Sequence, residues 1–254
     1  MIKRIKMKAI VLAGGFARRL WPLTKDKPKP LLCVAGKPII EYTLEKLWKV
    51  EEIDKIFISV NRKFEPCFRE WSMGIKTGKD MEIVAEPTTC EEEKIGAIGA
   101  LAFIMKERGI DDDLIVVAGD NIFSFDISKF LEYRQGGCPV VALYDMQEKE
   151  RVKGKYGVVV LDDKNAIKEL QEKPQEPVST IVSTGCYFFP RKVVRMINDY
   201  LKEGNSPDAP GFFISWLAKQ MTVQGFVFDG ECKWFDIGSH ESYREANRAY
   251  GGKV

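Results

Sequence analysis

Between Arg18 and Lys29 the chain places five cationic side chains (Arg18, Arg19, Lys25, Lys27, Lys29) against one anionic one, Asp26. They follow an apolar run, Ala9-Ile10-Val11, and a glycine pair, Gly14-Gly15. Glycines at the end of a strand let the backbone approach a ligand closely and offer N–H groups to it. Cations crowded behind such a turn suit phosphate. The whole chain carries a formal charge of only +2, so this density is local. Two common phosphate loops are absent: there is no Gly-Lys-Ser/Thr triplet, and no Gly-x-Gly-x-x-Gly after the first apolar run.

The wider stretch reads Leu12-Ala13-Gly14-Gly15-Phe16-Ala17-Arg18-Arg19-Leu20-Trp21-Pro22-Leu23-Thr24, then Pro28-Lys29-Pro30. Further on come Gly119-Asp120-Asn121, Glu172-Lys173-Pro174, Thr184-Gly185-Cys186-Tyr187 and Trp234-Phe235-Asp236-Ile237-Gly238. In this order, and across nearly the whole length, these segments resemble the sugar-1-phosphate nucleotidyltransferases, the nucleotide-sugar pyrophosphorylases. The first segment departs from the family pattern at two positions. Ala17 stands where the family has glycine, and Arg18 where it has threonine.

The resemblance implies an enzyme of the EC 2.7.7 class, with a nucleoside triphosphate and a sugar 1-phosphate as its partners. Arg19 and Lys29 would be catalytic, Arg19 on the triphosphate and the leaving pyrophosphate, Lys29 at the reacting centre. Leu12, Ala13, Gly14, Gly15, Arg18, Glu86 and Gly119 would bind the nucleotide. Gly157, Glu172, Lys173, Thr184 and Gly185 would bind the sugar phosphate. Asp120 and Asp236 would hold Mg²⁺, a hard ion suited to carboxylate and phosphate oxygens. The attacking phosphate has a second pKa of roughly 6 and needs no general base at neutral pH. The task is then positioning and charge neutralisation. The one histidine, His240, reads as a first-turn helix residue.

Base choice is read at Glu86-Pro87. A carboxylate only accepts hydrogen bonds, which suits the N1–H and amino group of guanine. The expectation therefore leans to a mannose-1-phosphate guanylyltransferase. The alternatives are a glucose-1-phosphate thymidylyl- or uridylyltransferase, a transferase using another phosphomonoester, and a non-catalytic nucleotide-sugar sensor, which Ala17 and Arg18 keep open.

Short apolar runs at Lys8–Leu12, Lys55–Val60, Met81–Ala85 and Leu114–Ala118 alternate with helical spacing over Pro38–Val50, Phe64–Trp71 and Ile95–Glu107. This alternation predicts an α/β, Rossmann-like, mostly parallel sheet with helices on both faces. Ligands then gather at the carboxyl ends of the strands, where Gly14-Gly15 and Gly119-Asp120 fall. From Cys138 the texture is strand-rich: Pro139–Tyr144, Tyr156–Leu161, Ile167–Gln171, Thr180–Phe189, Gly225–Phe228 and Lys233–Phe235. Helices are expected over Arg191–Lys202, Phe212–Lys219 and Ser239–Arg248, the last with Ser239 as N-cap. The organisation predicted is one nucleotidyltransferase domain over 1–254. It has a nucleotide-binding lobe at about 1–137 and an added β-rich lobe for sugar binding and dimer contact at about 138–254. The stripe Phe212, Phe213, Trp216, Leu217 reads as core or subunit contact, and Glu91-Glu92-Glu93 as a solvated loop.

With 45% apolar and 30% charged residues the chain has ample material for a core. Its near balance of charge excludes the basic face of a nucleic-acid binder. No apolar run reaches membrane-spanning length. Met1-Ile2-Lys3-Arg4-Ile5-Lys6 reads as a ragged start, not a signal peptide. Six scattered cysteines without a Cys-x-x-Cys pair fit a reducing, cytoplasmic setting. The short form, without the left-handed β-helix that some relatives carry, is expected, as is a dimer or tetramer by analogy with the family.

Overall fold

The first apolar run forms a strand, β1 (Met7–Leu12), in a computed structural model that describes residues 6–228 and 231–251. The start at Met1–Ile5 lies outside the described residues. Short 3-10 turns at Arg18–Leu20 and Lys29–Leu31 follow, then β2 (Cys33–Val34), β3 (Lys37–Pro38), α1 (Ile39–Trp48), β4 (Ile53–Asn61), α2 (Glu65–Met73) and β5 (Asp80–Glu86). After a 3-10 turn at Glu91–Glu93 come α3 (Ala97–Arg108), β6 (Asp113–Ala118), β7 (Asn121–Phe123), α4 (Ile127–Glu132), β8 (Val140–Asp145) and α5 (Lys149–Val152). The chain continues through β9 (Gly157–Leu161), β10 (Ile167–Glu172), β11 (Ile181–Phe189), α6 (Arg191–Lys202), α7 (Pro210–Ala218), β12 (Gln224–Phe228), β13 (Trp234–Asp236) and α8 (His240–Tyr250). The fold is α/β with a mostly parallel central sheet, as the alternation of strand and helix predicts. No helix among the described residues is long and apolar enough to cross a membrane.

The chain folds into two compact units. The first comprises Met1–Lys94, Val117–Ser124 and Lys233–Val254. Its strands β1, β4 and β5 run parallel, with Leu12 opposite Ser59 and Asn61 opposite Glu86. Every residue from Ile56 to Asn61 in β4 is buried, the mark of a strand covered on both faces. Helix α1 buries Ile39, Ile40, Thr43, Leu44 and Leu47, one stripe at helical spacing. A separate apolar cluster joins Leu20, Leu32, Val34, Ile39, Ile122, Ile237 and Ala246. It ties the cationic loop to residues far along the chain. Burial of one leucine of this kind is worth roughly 1.5–3 kcal/mol, so Leu20 anchors the short turn that carries Arg18 and Arg19.

The second unit comprises Ile95–Val116 and Phe125–Cys232. Here β10, β9 and β11 pair antiparallel in that order, β8 pairs antiparallel with β11, and β12 joins β8 in parallel. Most of the strands expected after Cys138 lie in this unit, which also takes in Ile95–Val116, whereas β13 and α8 belong to the first unit. Phe125, Phe130, Phe226 and Phe228 pack together beside it. Helix α6 buries Val193, Val194, Ile197 and Tyr200, and presents Arg191 and Arg195 to Asp111. In α7, Phe213 and Leu217 are core residues, Trp216 stacks on Phe213, and Phe212 is exposed.

Candidate active site

In the first unit, the end of β1 is held open as a platform. The Ala13 amide donates to Ser59 O at 2.8 Å and the Gly119 amide to Leu12 O at 2.8 Å. The Asn61 side chain donates to Gly14 O at 3.0 Å. Gly14 is glycine for lack of room: a Cβ there would run into the Glu86 carboxyl. Gly15 faces open space, with nothing within 4 Å of such a Cβ.

Ala17 adopts the left-handed conformation (φ 50°, ψ 43°) in which glycine is usual, at a cost of about 1–2 kcal/mol for an L-residue. Its carbonyl accepts from Thr24 Oγ1 at 2.8 Å and from the Leu20 amide at 3.0 Å, which fixes the turn. Ala17 thus takes a backbone form typical of glycine despite its Cβ. Arg18 makes an exposed 2.6 Å ion pair with Glu92. The acidic run Glu91–Glu93, expected as a solvated loop, is a 3-10 turn that engages this arginine.

Pro28 and Pro30 flank Lys29, and all three are buried. The Lys29 ammonium lies 2.7 Å from Asp120 and 3.8 Å from Asp236. The register of β7 and β13 explains how residues so distant in sequence meet. Asp236 pairs with Asn121, the neighbour of Asp120, and the Ile237 amide donates to Asp120 O at 3.4 Å. Arg19 joins the same group. A Cβ at Gly238 would stand 3.3 Å from Asp236 Oδ2 and 3.6 Å from Arg19 Nη2, so both groups border that glycine. Arg19, Lys29, Asp120 and Asp236 therefore form one cluster.

Asp120 and Asp236 fit a divalent ion. Their donors are hard carboxylate oxygens, one in the turn just before β7 and one at the end of β13, which pairs with β7. The Oδ1 of the adjacent Asn121 is buried without a hydrogen-bond partner. One or two carboxylates completed by phosphate oxygens and water is the usual Mg²⁺ arrangement.

Glu86, the last residue of β5, is buried and accepts from Ser59 Oγ at 2.6 Å. Burial pushes its carboxyl above the ordinary value of 4.5, against the lowering effect of that hydrogen bond. Ser59 and Asn61, which contact Glu86 and Gly14 in the candidate site, were not singled out by the sequence reading. The available signal was two polar residues among the buried positions Ile56–Asn61 that end the strand.

In the second unit, Glu172 ends β10 opposite Gly157. Its carboxyl is raised above 4.5 chiefly by burial, with Lys173 acting the other way. Lys173 is exposed and left-handed (φ 49°), its amide bonded to Tyr156 O at 3.0 Å. Such a conformation is costly for a non-glycine residue and clusters at functional positions. The Thr184 hydroxyl donates to Ala142 O at 2.9 Å, which uses its one donor. Gly185 has φ 78° within the irregular pairing of β11 with β8.

The sequence profile of the family described as Nucleotidyl transferase matches residues 8–252. The chain is 32% identical over 248 residues to the bifunctional protein GlmU of Methanocaldococcus jannaschii, covering 98% of this chain and 55% of that protein. It is 34% identical over 242 residues to a Sulfolobus acidocaldarius protein provisionally named mannose-1-phosphate guanyltransferase, covering 95% and 62%. The chain thus spans between 55% and 62% of the length of these two relatives. Among solved structures, it matches a provisionally assigned glucose-1-phosphate thymidylyltransferase from Bacillus anthracis, in complex with sucrose. The TM-score is 0.78 at 28% identity, over 98% of this chain and 96% of that one.

Proposed function

The chain belongs to the nucleotidyl transferase family, and we propose that it transfers a nucleotidyl group from a nucleoside triphosphate to a sugar 1-phosphate, releasing pyrophosphate. The observation that carries this reading is the Lys29 ammonium set between Asp120 and Asp236, with Arg19 bordering the same group. A phosphate oxygen of the sugar 1-phosphate attacks the α-phosphorus, and the bond to the pyrophosphate oxygen breaks. The attacking group is already dianionic near neutral pH. The protein's work is to neutralise, align and exclude competitors. The Gly14-Gly15 turn cradles the triphosphate, and Arg19 takes the charge that develops on the departing pyrophosphate. Lys29 neutralises the reacting phosphate oxygens. Glu172 accepts from sugar hydroxyls, and Lys173 pairs with the sugar's phosphate. Asp120 and Asp236 would hold Mg²⁺, which supplies Lewis-acid neutralisation of phosphate charge when bound. The six unpaired cysteines support a reducing, cytoplasmic setting.

For the base, the reading is guanine. Glu86 offers only acceptors while ionised, and guanine presents two adjacent donors. Ser59 already satisfies one Glu86 oxygen, and Gly14 keeps the backbone close to it. The sugar favoured on the same reading is mannose.

The test is a matrix of GTP, UTP, dTTP and ATP against mannose 1-phosphate and glucose 1-phosphate, read as pyrophosphate release and product mass. GTP is expected to give the highest kcat/KM. Glu86→Gln restores a donor and should move the preference toward UTP or dTTP by roughly tenfold or more, the scale of one mismatched buried hydrogen bond. Pyrophosphate release with UTP preferred by the wild type overturns the base reading. No release with any pair overturns the transferase reading in favour of a sensor.

A further inference from the structure

Glu172 is a half-buried carboxylate with no hydrogen-bond or ion-pair partner among the described residues, and two glycines confine it. Gly157 faces it across the β9–β10 pair, where a Cβ would lie 3.2 Å from Oε2 and 3.4 Å from Leu170 Cδ2. Gly211, buried in the first turn of α7, is closer. A Cβ there would collide with Oε2, and would stand 2.8 Å from Leu170 Cδ2 and 3.3 Å from Glu172 Cδ. Neither glycine has a positive φ, so neither is required by backbone conformation. Glycine within a helix is disfavoured against alanine by about 1 kcal/mol, and glycine in a strand weakens it too. What both positions provide is space, and the Glu172 carboxyl fills it.

We propose that Gly157 and Gly211 are positioning residues that hold the Glu172 carboxylate in a slot, and that Gly211 in particular sets sugar recognition through it. This deepens the sugar 1-phosphate reading and rests on it. Gly211 touches no reactant. It acts by leaving room for an acceptor that must stay free of protein partners in order to take a sugar hydroxyl. Any side chain at 211 displaces that acceptor from the space between β9 and α7.

Gly211→Ala tests the idea with two independent readouts. The first is the titration of the Glu172 side-chain carboxyl by carbon-13 NMR, assigned by its loss in Glu172→Gln. The slot keeps the wild-type carboxyl desolvated. The midpoint in Gly211→Ala should therefore fall toward the ordinary 4.5 as the group is pushed into water. The second is steady-state kinetics. The KM for sugar 1-phosphate should rise roughly tenfold to a hundredfold, the scale of losing a hydrogen bond to a charged group. The KM for the triphosphate should stay within about twofold, and Glu172→Asp in the Gly211→Ala background should recover part of the loss, because a shorter side chain leaves room for the new Cβ. Gly157→Ala, whose clash is milder, should shift both readouts in the same direction by less, and it decides the matter if Gly211→Ala does not fold. An unchanged Glu172 titration overturns the slot, as does a parallel rise in both KM values. If the wild type makes no nucleotide sugar from any pair, the functional reading fails, while the titration still judges the positioning claim.

Discussion

Lys29 is the cation that approaches both carboxylates of the site's cluster. It is buried between two prolines and faces two carboxylates that otherwise repel one another. Lys29→Met keeps the apolar stem and removes the charge. The transferase reaction should then fall on the order of 10²–10³ in kcat, the usual scale for losing one preorganised charge-stabilising donor. Asp120 and Asp236 stay partly hydrated, so the fold should survive. Relieved of the ammonium, the two carboxylates should bind Mg²⁺ more tightly, and thermal denaturation should show a larger rise in Tm on adding MgCl₂ than the wild type shows. An equal response in both proteins would separate these aspartates from metal binding. Pro28-Lys29-Pro30 was visible in the sequence as a motif, but the lysine's burial and its 2.7 Å partner were not. Those depend on a pairing of distant strands, which local pattern does not encode. Arg18 was open between phosphate and solvent; its ion pair with Glu92 is a contact across 74 positions that no periodicity signals.

At the scale of elements, the strands and helices with a full period of apolar residues were legible, and the short pieces that aim the site were not. Helix α1 and strand β4 follow from the spacing of Ile39, Leu44 and Leu47 and from the run Lys55–Val60, which the structure extends to Ile53–Asn61. The 3-10 turns at Arg18–Leu20 and Lys29–Leu31 are three residues each and have no period to read. Helix α4 was missed for the same reason, although Asp126, which accepts from the Ser128 amide, is an N-cap signal in hindsight. The pairing of β7 with β13, which brings Asp236 beside Asp120, joins segments whose local sequences say nothing of each other. Helix α8 was legible through its cap. Ser239 accepts from the Ser242 amide at 3.1 Å, and Ser242 Oγ in return accepts from the Ser239 amide at 3.1 Å and the Gly238 amide at 3.1 Å. This reciprocal cap fixes the chain just after Asp236 and Gly238. Ser239→Ala should destabilise the protein by about 1 kcal/mol in urea unfolding. Amide exchange should accelerate first in the opening turn of α8. A loss confined to distant helices, or none, would show that Ala246 packing alone holds α8 in place.

For the molecule as a whole, each compact unit is assembled from separated stretches of chain, and this makes a contiguous excision fail. The first unit needs Met1–Lys94 together with Val117–Ser124 and Lys233–Val254. A fragment ending at Lys94 keeps β1, β4, β5 and α1, with Leu20, Leu32, Val34 and Ile39. It loses Ile122, Ile237 and Ala246, the other members of the cluster that anchors the cationic loop. The two isoleucines alone represent roughly 1.5–3 kcal/mol each of buried apolar surface, and the β7–β13 ladder goes with them. Against a domain stability of about 5–15 kcal/mol, that loss leaves little margin. It also strips the loop of the wall against which Leu20 packs. The fragment 1–94 should therefore give a poorly dispersed proton–nitrogen NMR spectrum and a broad, low-amplitude urea transition. Adding the remaining chain as a separate polypeptide should restore dispersion at the amides of Leu20, Leu32 and Val34 before those of α2, whose buried Phe68 packs on Trp71 within the fragment. A fragment that unfolds cooperatively by itself, with native shifts at Leu20, would mean that β1, β4 and β5 support the loop without the distant segments.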